Sequence, residues 1–280
     1  MIAFSPTTLD EALAALRDEP RLLPVAGCTD LMVRPPLSRL ALDRLLDLTR
    51  IPGLAALEER QEGLAIGAAT TFSTLGAHPL VVEHFPALAA AARTIGGWQI
   101  QNRATLGGNA ANASPAGDSL PVLLALGATV EVAGAGGRRS IPYDRFHVAY
   151  RRTALRQGEI ATAFLLPWPG AGEHQGFRKV GTRQAQAISK VVVALSAAVE
   201  EGRVARLRLA AGSVAATPVR LPRAEAAALG KPLAEAAEAA GAAAAAEVTP
   251  IDDVRSTAEY RRWVLGRVVR RLLLSLDSPR

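Results

Sequence analysis

The sequence is almost free of cysteine, since Cys28 is the single thiol among 280 residues. One thiol excludes an internal disulfide, a structural zinc site built from cysteines and an iron–sulfur cluster held by this chain alone. Histidine is scarce too, and no two of the four histidines are four residues apart, as a helical metal site requires. The sequence therefore predicts a chain without a metal centre of its own.

Aromatic residues make up only 4% of the chain, and lysine is rare. The formal net charge is +6, but nearly all of the positive charge is arginine, spread along the chain among acidic residues. There is no basic block and no series of aromatic residues for stacking on bases. We therefore predict no binding to nucleic acid.

Long apolar runs are missing as well. No stretch of about 18 uncharged apolar residues occurs, so we predict no membrane-spanning helix. The first stretch, MIAFSPTTLDEALAAL, lacks the basic start and the long apolar centre of a signal peptide. We expect a cytoplasmic protein.

Familiar catalytic motifs are also absent. No G-x-G-x-x-G follows a predicted strand and no P-loop occurs, so a Rossmann cofactor site and a nucleoside triphosphate site lack support. Neither the nucleophile motif G-x-S-x-G nor the zinc motif H-E-x-x-H is present. No residue of the chain is therefore predicted to act as a catalytic acid, base or nucleophile.

Turn residues and apolar patterns divide the chain into two parts. The run PWPGAG follows a predicted strand and marks the boundary, so we predict a first domain over 1–170 and a second over 172–280. In the first domain the patterns indicate helices near 9–16 and 85–93, strands at 21–26, 63–69 and 159–166, and a helix or strand at 40–48. The second begins with three strands and continues with alanine-rich helices, the last over 258–274.

Two glycine-containing loops are the remaining candidate sites. The first follows a short apolar strand and comprises Pro24, Val25, Ala26, Gly27, Cys28, Thr29, Asp30 and Leu31. The second lies within RATLGGNAANASPAGDS and comprises Thr105, Leu106, Gly107, Gly108 and Asn109. Glycines permit close approach of the backbone, so that successive N–H groups can converge on an anion such as a pyrophosphate. From these residues alone, a ligand site and a pair of simple turns remain equally open.

The segment TIGGWQIQNRATLGGNAANASPAGDSLPVLLALGATVEV resembles the signature of the FAD-binding subunits of the molybdenum hydroxylases, which include bacterial xanthine dehydrogenase and carbon monoxide dehydrogenase. VAGCTDLM is similar to the family's first cofactor loop, and GEIATAFLLPWP, FRKVGTRQAQAISKVVVALSAAV and DDVRSTAEYRRWVLGRVVRRLLL resemble further parts of it. These separated elements follow the family's order over almost the whole chain. The resemblance implies an α+β fold: a two-subdomain FAD-binding fold of the vanillyl-alcohol oxidase (PCMH) type, followed by a small α/β C-terminal domain.

The resemblance also implies which residues bind FAD. The first loop, from Pro24 to Leu31, is expected to wrap the pyrophosphate from one side, and the second, from Thr105 to Asn109, from the other. Asp118 stands where the family places an acid that hydrogen-bonds the ribityl or ribose hydroxyls, and Ser114 lies in the same loop.

Further contacts are implied at the flavin end. Ile95 and the backbone near Ala161 are expected to touch the cofactor. Lys179 matches a basic residue of the family at the flavin end. A cation near the ring favours the anionic reduced flavin, which is the role that the resemblance implies for Lys179. The alternative for Lys179 is a solvated surface lysine, and Lys190 is a second candidate for the same role.

Two positions depart from the family pattern. Cys28 stands where many relatives have glycine, so the loop must tolerate a side chain there. A covalent flavin link through Cys28 is conceivable, but this thiol is expected beside the phosphates rather than the ring. Gln101 replaces an arginine, which casts doubt only on a secondary contact.

The resemblance implies a non-covalent FAD-binding electron-transfer subunit. Its electrons are expected to come from 2Fe-2S clusters on a small iron–sulfur subunit, while a large molybdopterin subunit oxidises the organic substrate, in a heterotrimer or its dimer. The acceptor is expected to be NAD⁺, a quinone or oxygen. Two alternatives stay open: a self-contained flavin oxidoreductase of the same fold, and an assembly protein whose glycine loops are only structural.

Overall fold

The computed structural model describes residues 2–33 and 43–277. The strands in this part of the chain are β1 (Ile2–Phe4), β2 (Leu23–Val25), β3 (Arg44–Asp47), β4 (Leu57–Arg60), β5 (Gly63–Gly67), β6 (Thr129–Gly134), β7 (Gly137–Pro142), β8 (His147–Ala149), β9 (Arg152–Thr153), β10 (Ile160–Pro167), β11 (Glu173–Val180), β12 (Val191–Glu200), β13 (Arg203–Gly212) and β14 (Val219–Arg220). The helices are α1 (Leu9–Asp18), α2 (Phe72–Ala77), α3 (Pro79–His84), α4 (Pro86–Ala92), α5 (Trp98–Gln101), α6 (Leu106–Asn112), α7 (Ser119–Ala125), α8 (Pro222–Ala228), α9 (Leu233–Glu247) and α10 (Ala258–Leu274). Short 3-10 turns cover Leu31–Val33, Pro52–Ala55, Tyr143–Arg145 and Ser275–Asp277.

The first sheet is small and parallel, in the order β1-β3-β2, and α1 covers one face. Helix α1 begins where the sequence predicts it, because the Thr8 hydroxyl accepts the N–H of Glu11 and the Glu11 carboxylate accepts the N–H of Thr8. Ala12 and Leu16 on its inner face share a buried cluster with Leu46 of β3. Since parallel strands end at one edge, the loops that follow β1, β2 and β3 lie along the same edge of this sheet.

The segment 40–48 was open to a helix or a strand. Residues 44–47 form the central strand β3, which settles the choice for that part, whereas 40–42 lie outside the described residues. The predicted strand at 21–26 is confirmed as β2.

The second sheet is antiparallel, in the order β4-β5-β10-β6-β7. The predicted strands at 63–69 and 159–166 are its neighbours β5 and β10, and the predicted helix at 85–93 is α4, with Pro86 at its first position. Leu64, Ile66 and Phe164 are buried with the apolar residues of α2, α4 and α7 in the main core. The second candidate loop leads into α6 at the edge of this core.

The third sheet, β11-β12-β13-β14, is antiparallel and carries α8, α9 and α10 on one side. The three predicted strands are β11, β12 and β13, the short strand β14 was not predicted, and α10 spans the predicted 258–274. Helices α9 and α10 cross closely: a Cβ on Gly241 would lie 2.8 Å from the carbonyl oxygen of Gly266, and the reverse distance is also 2.8 Å. Glycine at both positions permits this crossing.

The third sheet rests directly on the loop that precedes α7. The N–H of Ser213 donates to the carbonyl of Pro115 at 2.7 Å. A Cβ on Gly212 would lie 3.1 Å from the same carbonyl, so the end of β13 also lies against this loop. Asp118 in this loop is buried and accepts the hydroxyl of Ser189, which lies between β11 and β12.

Candidate cofactor site

The first loop presents a row of unused backbone donors. Among the described residues, no acceptor faces the N–H groups of Gly27, Cys28, Thr29 or Asp30. Cys28 has a φ of 57°, in the left-handed region, which turns the chain sharply at this point. Such a turn can direct successive N–H groups towards one anion, as the sequence predicts for a pyrophosphate.

The departure from glycine at position 28 therefore has a conformational consequence. A left-handed backbone costs a residue with a Cβ about 1–2 kcal/mol, a strain that glycine avoids. The Cys28 thiol turns back to the carbonyl of Ala26 at 3.4 Å. Burial raises the pKa of this thiol above its ordinary value, and the carboxylate of Asp47 acts in the same direction, while Arg103 opposes them. A protonated thiol is a poor nucleophile, which argues against a covalent flavin link here.

Gly27 brings the first loop against the second. A Cβ at this position would lie 1.9 Å from the carbonyl oxygen of Arg103 and 2.9 Å from the Cα of Ala104. No side chain fits in that space, so glycine is required for the two loops to meet. The two candidate loops predicted from the sequence are thus brought together.

The second loop differs from the expectation in one respect. Its N–H groups do not converge on open space: Leu106 donates to the carbonyl of Thr70, Gly107 to the carbonyl of Ala68, Gly108 to the Thr105 hydroxyl and Asn109 to the carbonyl of Thr105. Thr105 is the N-cap of α6 and accounts for the bonds of Gly108 and Asn109, whereas those of Leu106 and Gly107 come from the neighbouring segment that precedes α2. The four N–H groups of this loop thus already have acceptors within the chain, and a contact of the loop with the phosphates stays a prediction.

The two adjacent glycines of this loop have different surroundings. A Cβ on Gly107 would lie 2.7 Å from both the Cβ and the carbonyl oxygen of Ala68, so Gly107 is needed for packing. A Cβ on Gly108 would meet only the Thr105 hydroxyl, at 2.9 Å, and Gly108 is exposed. Gly108 therefore keeps the surface of α6 open to a ligand, which fits the predicted role of this loop.

The small residues after α6 fold into a compact turn. Ala113 ends the helix with a φ of 51°, and the Ser114 hydroxyl accepts the N–H of Ala116 at 3.3 Å. The Asn109 side chain accepts the Ser119 hydroxyl at 2.7 Å. Asn109 is thereby held next to Asp118, so the second loop and the predicted carboxylate belong to one unit.

Asp118 and Lys179 form a buried ion pair. The distance from Lys179 Nζ to Asp118 Oδ2 is 2.6 Å, and the two side chains are 7% and 8% exposed, respectively. Lys179 also donates to the carbonyl of Thr94 at 2.9 Å, and the Ser189 hydroxyl donates to the other Asp118 oxygen. The solvated alternative for Lys179 is therefore wrong.

The charges in this pair compensate each other. Burial raises the pKa of Asp118 above its ordinary value, while the charge of Lys179 and the hydrogen bonds from Lys179 and Ser189 act in the opposite direction. No pattern in the sequence predicts Ser189 and Thr94 as the polar partners of this pair. Ser189 lies 71 residues from Asp118, so no local pattern joins them.

The remaining predicted residues lie around this network. Ile95 is buried next to Thr94, whose carbonyl holds Lys179. Ala161 lies on β10, and the next carbonyl on that strand, of Thr162, accepts the N–H of Ala68, whose own carbonyl accepts Gly107. Two backbone hydrogen bonds, through Ala68, therefore connect the strand that carries Ala161 to the second loop.

The side chains of Lys190 and Gln101 have partners outside this network. The Lys190 ammonium lies over the ring of Tyr260, 5.1 Å from its centroid. The Gln101 amide donates to the carbonyl of Arg93 at 3.0 Å, where its contact serves the backbone.

A separate cavity of about 420 Å³ lies between the start of α1 and the second sheet. It contains none of the predicted cofactor residues, and Arg60 and Glu131 in its wall already pair with each other. It therefore lacks the free backbone donors of the first loop, and we assign the candidate site to the loops.

Within residues 2–33 and 43–277, no three His, Cys, Asp or Glu side chains come together as a metal-binding group. In the same residues no helix is both long enough and apolar enough to cross a bilayer.

Two family models match the chain. The model described as the FAD binding domain in molybdopterin dehydrogenase matches residues 2–169. The model described as the CO dehydrogenase flavoprotein C-terminal domain matches residues 177–276.

Individual proteins agree with these models. The medium subunit of nicotine 6-hydroxylase from Paenarthrobacter nicotinovorans is 34% identical, over 98% of this chain and 96% of that protein. The xanthine dehydrogenase FAD-binding subunit of Escherichia coli O157:H7 is 32% identical, over 95% of this chain and 92% of that protein. Among solved structures, a chain of carbon monoxide dehydrogenase from Hydrogenophaga pseudoflava superposes with a TM-score of 0.91 at 31% identity, covering 99% of this chain and 98% of that one. The predicted two-domain FAD-binding fold is therefore confirmed.

Proposed function

The chain belongs to the family of FAD-binding subunits of molybdopterin-dependent dehydrogenases, and from this membership we propose that it carries electrons from iron–sulfur clusters on a partner subunit, by way of FAD, to an acceptor. Its class is oxidoreductase and its cofactor is FAD. The proposed acceptor is NAD⁺, a quinone or oxygen.

The observation that carries the proposal is the first loop. Four consecutive N–H groups, from Gly27 to Asp30, have no acceptor among the described residues, and Gly27 holds them against the second loop. Peptide dipoles arranged in this way bind a pyrophosphate without a cluster of lysines. We propose the residues Pro24 to Leu31 as the main phosphate contact, with the open surface at Gly108 and Asn109 on the other side.

We propose that the buried network around Asp118 and Lys179 contacts the ribityl or ribose hydroxyls and the flavin end of FAD. Asp118 already accepts Lys179 and Ser189, but a carboxylate has about four acceptor positions, so it can also accept a ribityl or ribose hydroxyl. Lys179 supplies a cation whose position is fixed by Asp118 and Thr94. Ile95, Ser114 and the backbone near Ala161 complete the proposed set.

FAD supplies reversible electron storage, and this chain supplies binding, orientation and electrostatics. The single cysteine supports a division of labour, since this chain has too few thiols to hold an iron–sulfur cluster. We propose a small 2Fe-2S subunit and a large molybdopterin subunit as partners, in a heterotrimer or its dimer. We also propose that the FAD-binding domain spans 1–170 and the C-terminal domain 172–280.

The test uses the complex assembled by co-expression of this chain with its two partner subunits. Substrate added anaerobically should bleach the flavin of the complex. A complex built with a Gly108→Val chain should lose reduction of the natural acceptor but keep reduction of a dye that takes electrons from the clusters.

Two results would count against the proposal. Flavin that stays oxidised while the clusters are reduced contradicts the electron path. Turnover of an organic substrate by this chain alone favours the self-contained flavin oxidoreductase.

A further inference from the structure

A short hairpin places an arginine beside both candidate loops. Arg151 forms the turn between β8 and β9 with a φ of 52°. Its Nη1 lies 3.8 Å from Asp30 Oδ2 in the first loop. The same nitrogen donates to Asn112 Oδ1, at the end of α6, at 3.3 Å. Arg151 therefore connects the first loop to the helix that the second loop begins.

Asp30 is the only charged residue in the first loop, and its charge has the wrong sign for a phosphate site. A carboxylate there repels a pyrophosphate and competes with it for the free N–H groups of the loop. Within residues 2–33 and 43–277, Arg151 is the only cation that forms an ion pair with Asp30. A guanidinium carries five N–H donors, so the contacts to Asp30 and Asn112 leave others available.

We propose that Arg151 is a positioning residue for the dinucleotide: it neutralises Asp30 and holds that carboxylate away from the phosphate side of the first loop. This inference rests on the proposed function, since it assumes that the first loop binds a pyrophosphate. Asn112, at the end of α6, orients the guanidinium of Arg151. The oriented guanidinium in turn neutralises the charge of Asp30 in the first loop. The left-handed turn at position 151 directs the side chain towards both loops.

The test measures the affinity of the full-length chain for FAD, by quenching of flavin fluorescence, at low and at physiological ionic strength. Arg151→Ala should weaken binding about fivefold, the upper range for a partly exposed charge pair. The loss should shrink as salt rises, because the Debye length falls from about 30 Å at 0.01 M to about 8 Å at 0.15 M. Arg151→Lys should restore most of the affinity.

Matched variants separate this role from a general one. Arg152, the next residue, is also exposed, and its side chain pairs with no other described residue, so Arg152→Ala should bind FAD like the unmodified chain. In an Asp30→Asn background the Arg151→Ala change should have little further effect, because the charge that it neutralises is gone. Arg151→Gly, which suits a positive φ, serves as the second variant if the alanine chain folds poorly.

Three outcomes overturn the inference: equal affinities for Arg151→Ala and Arg152→Ala, a loss that salt does not change, or the full loss in the Asp30→Asn background. If the unmodified chain binds no FAD at all, the proposed function fails instead. The two failures are therefore distinguishable.

Discussion

Removing the Lys179 ammonium should destabilise the protein more than any surface change, because Asp118 would be left buried without its cation. Lys179→Met keeps most of the volume and apolar length of the side chain but removes its charge. The two partners lie 2.6 Å apart, and their side chains are only 7% and 8% exposed. Ser189 remains as a single neutral donor to the carboxylate.

The size of the effect follows from this geometry. Removal of one partner from a buried ion pair costs about 3–5 kcal/mol, because the other charge stays desolvated. For a chain somewhat above 250 residues, each kcal/mol lowers the melting temperature by about 2–4 °C, so we expect a drop of about 10 °C. The double variant Asp118→Asn/Lys179→Met should recover most of it, since an amide and an apolar chain leave no unpaired charge.

The effect should also depend on pH, in a direction set by Asp118. Burial raises the pKa of this carboxyl, and Lys179 is the main opposing influence. Without Lys179, the pKa of Asp118 in the folded state rises further above its value in the unfolded state. The folded state then loses stability as pH rises, because the buried carboxyl must give up its proton. The Lys179→Met chain should therefore fall further behind the unmodified chain at about pH 8 than at about pH 5.

Thermal melts followed by circular dichroism at the two pH values measure both effects. Lys231→Met, at an exposed residue that forms a surface ion pair with Glu235, is the control and should change the melting temperature little. Two results would refute the account of a desolvated pair. One is a Lys179→Met chain with the same melting temperature as the unmodified chain, and the other is a difference in melting temperature that is larger at about pH 5 than at about pH 8.

Three further predictions concern single positions. Cys28→Gly should raise the free energy of unfolding by about 1 kcal/mol in urea denaturation, because glycine relieves the left-handed strain, whereas Cys28→Val should lower it. Gly107→Ala should lower the melting temperature through its collision with Ala68, at a cost of about 1–3 kcal/mol, while Gly108→Ala should keep the fold and reduce FAD content in the purified chain. Burial lowers the pKa of His147 to about 4. The stability that this residue contributes should therefore be present above about pH 6.5 and lost as pH falls towards 4. His147→Phe should remove this dependence when the melting temperature is measured over that pH range.

The elements of the fold could be predicted where one residue dictates the local backbone. Thr8 and Glu11 fix the start of α1, Pro86 starts α4, and the prolines and glycines of PWPGAG end β10. These effects are local in sequence, so periodicity and caps suffice to find them. The segment at 40–48 was ambiguous because a short apolar run suits either structure, and β3 follows from its pairing with two neighbouring strands.

The site was less predictable, because its chemistry depends on contacts between distant residues. The pattern of glycines indicated two loops that approach a ligand. In the second loop, however, Thr105 accepts the N–H groups of Gly108 and Asn109, and the distant residues Thr70 and Ala68 accept the other two. The pairing of Asp118 with Lys179, 61 residues apart, is visible only in three dimensions. Arg151 carried no sequence signal at all, since its importance comes from the hairpin that points it at Asp30.

The flavin content of the purified chain tests the central claim most directly. The account predicts a yellow protein with an absorption band in the blue, whose FAD is released into the supernatant by acid precipitation because no bond to Cys28 exists. A folded but colourless chain that takes up no added FAD would contradict the cofactor assignment, and flavin that stays with the precipitate would contradict non-covalent binding.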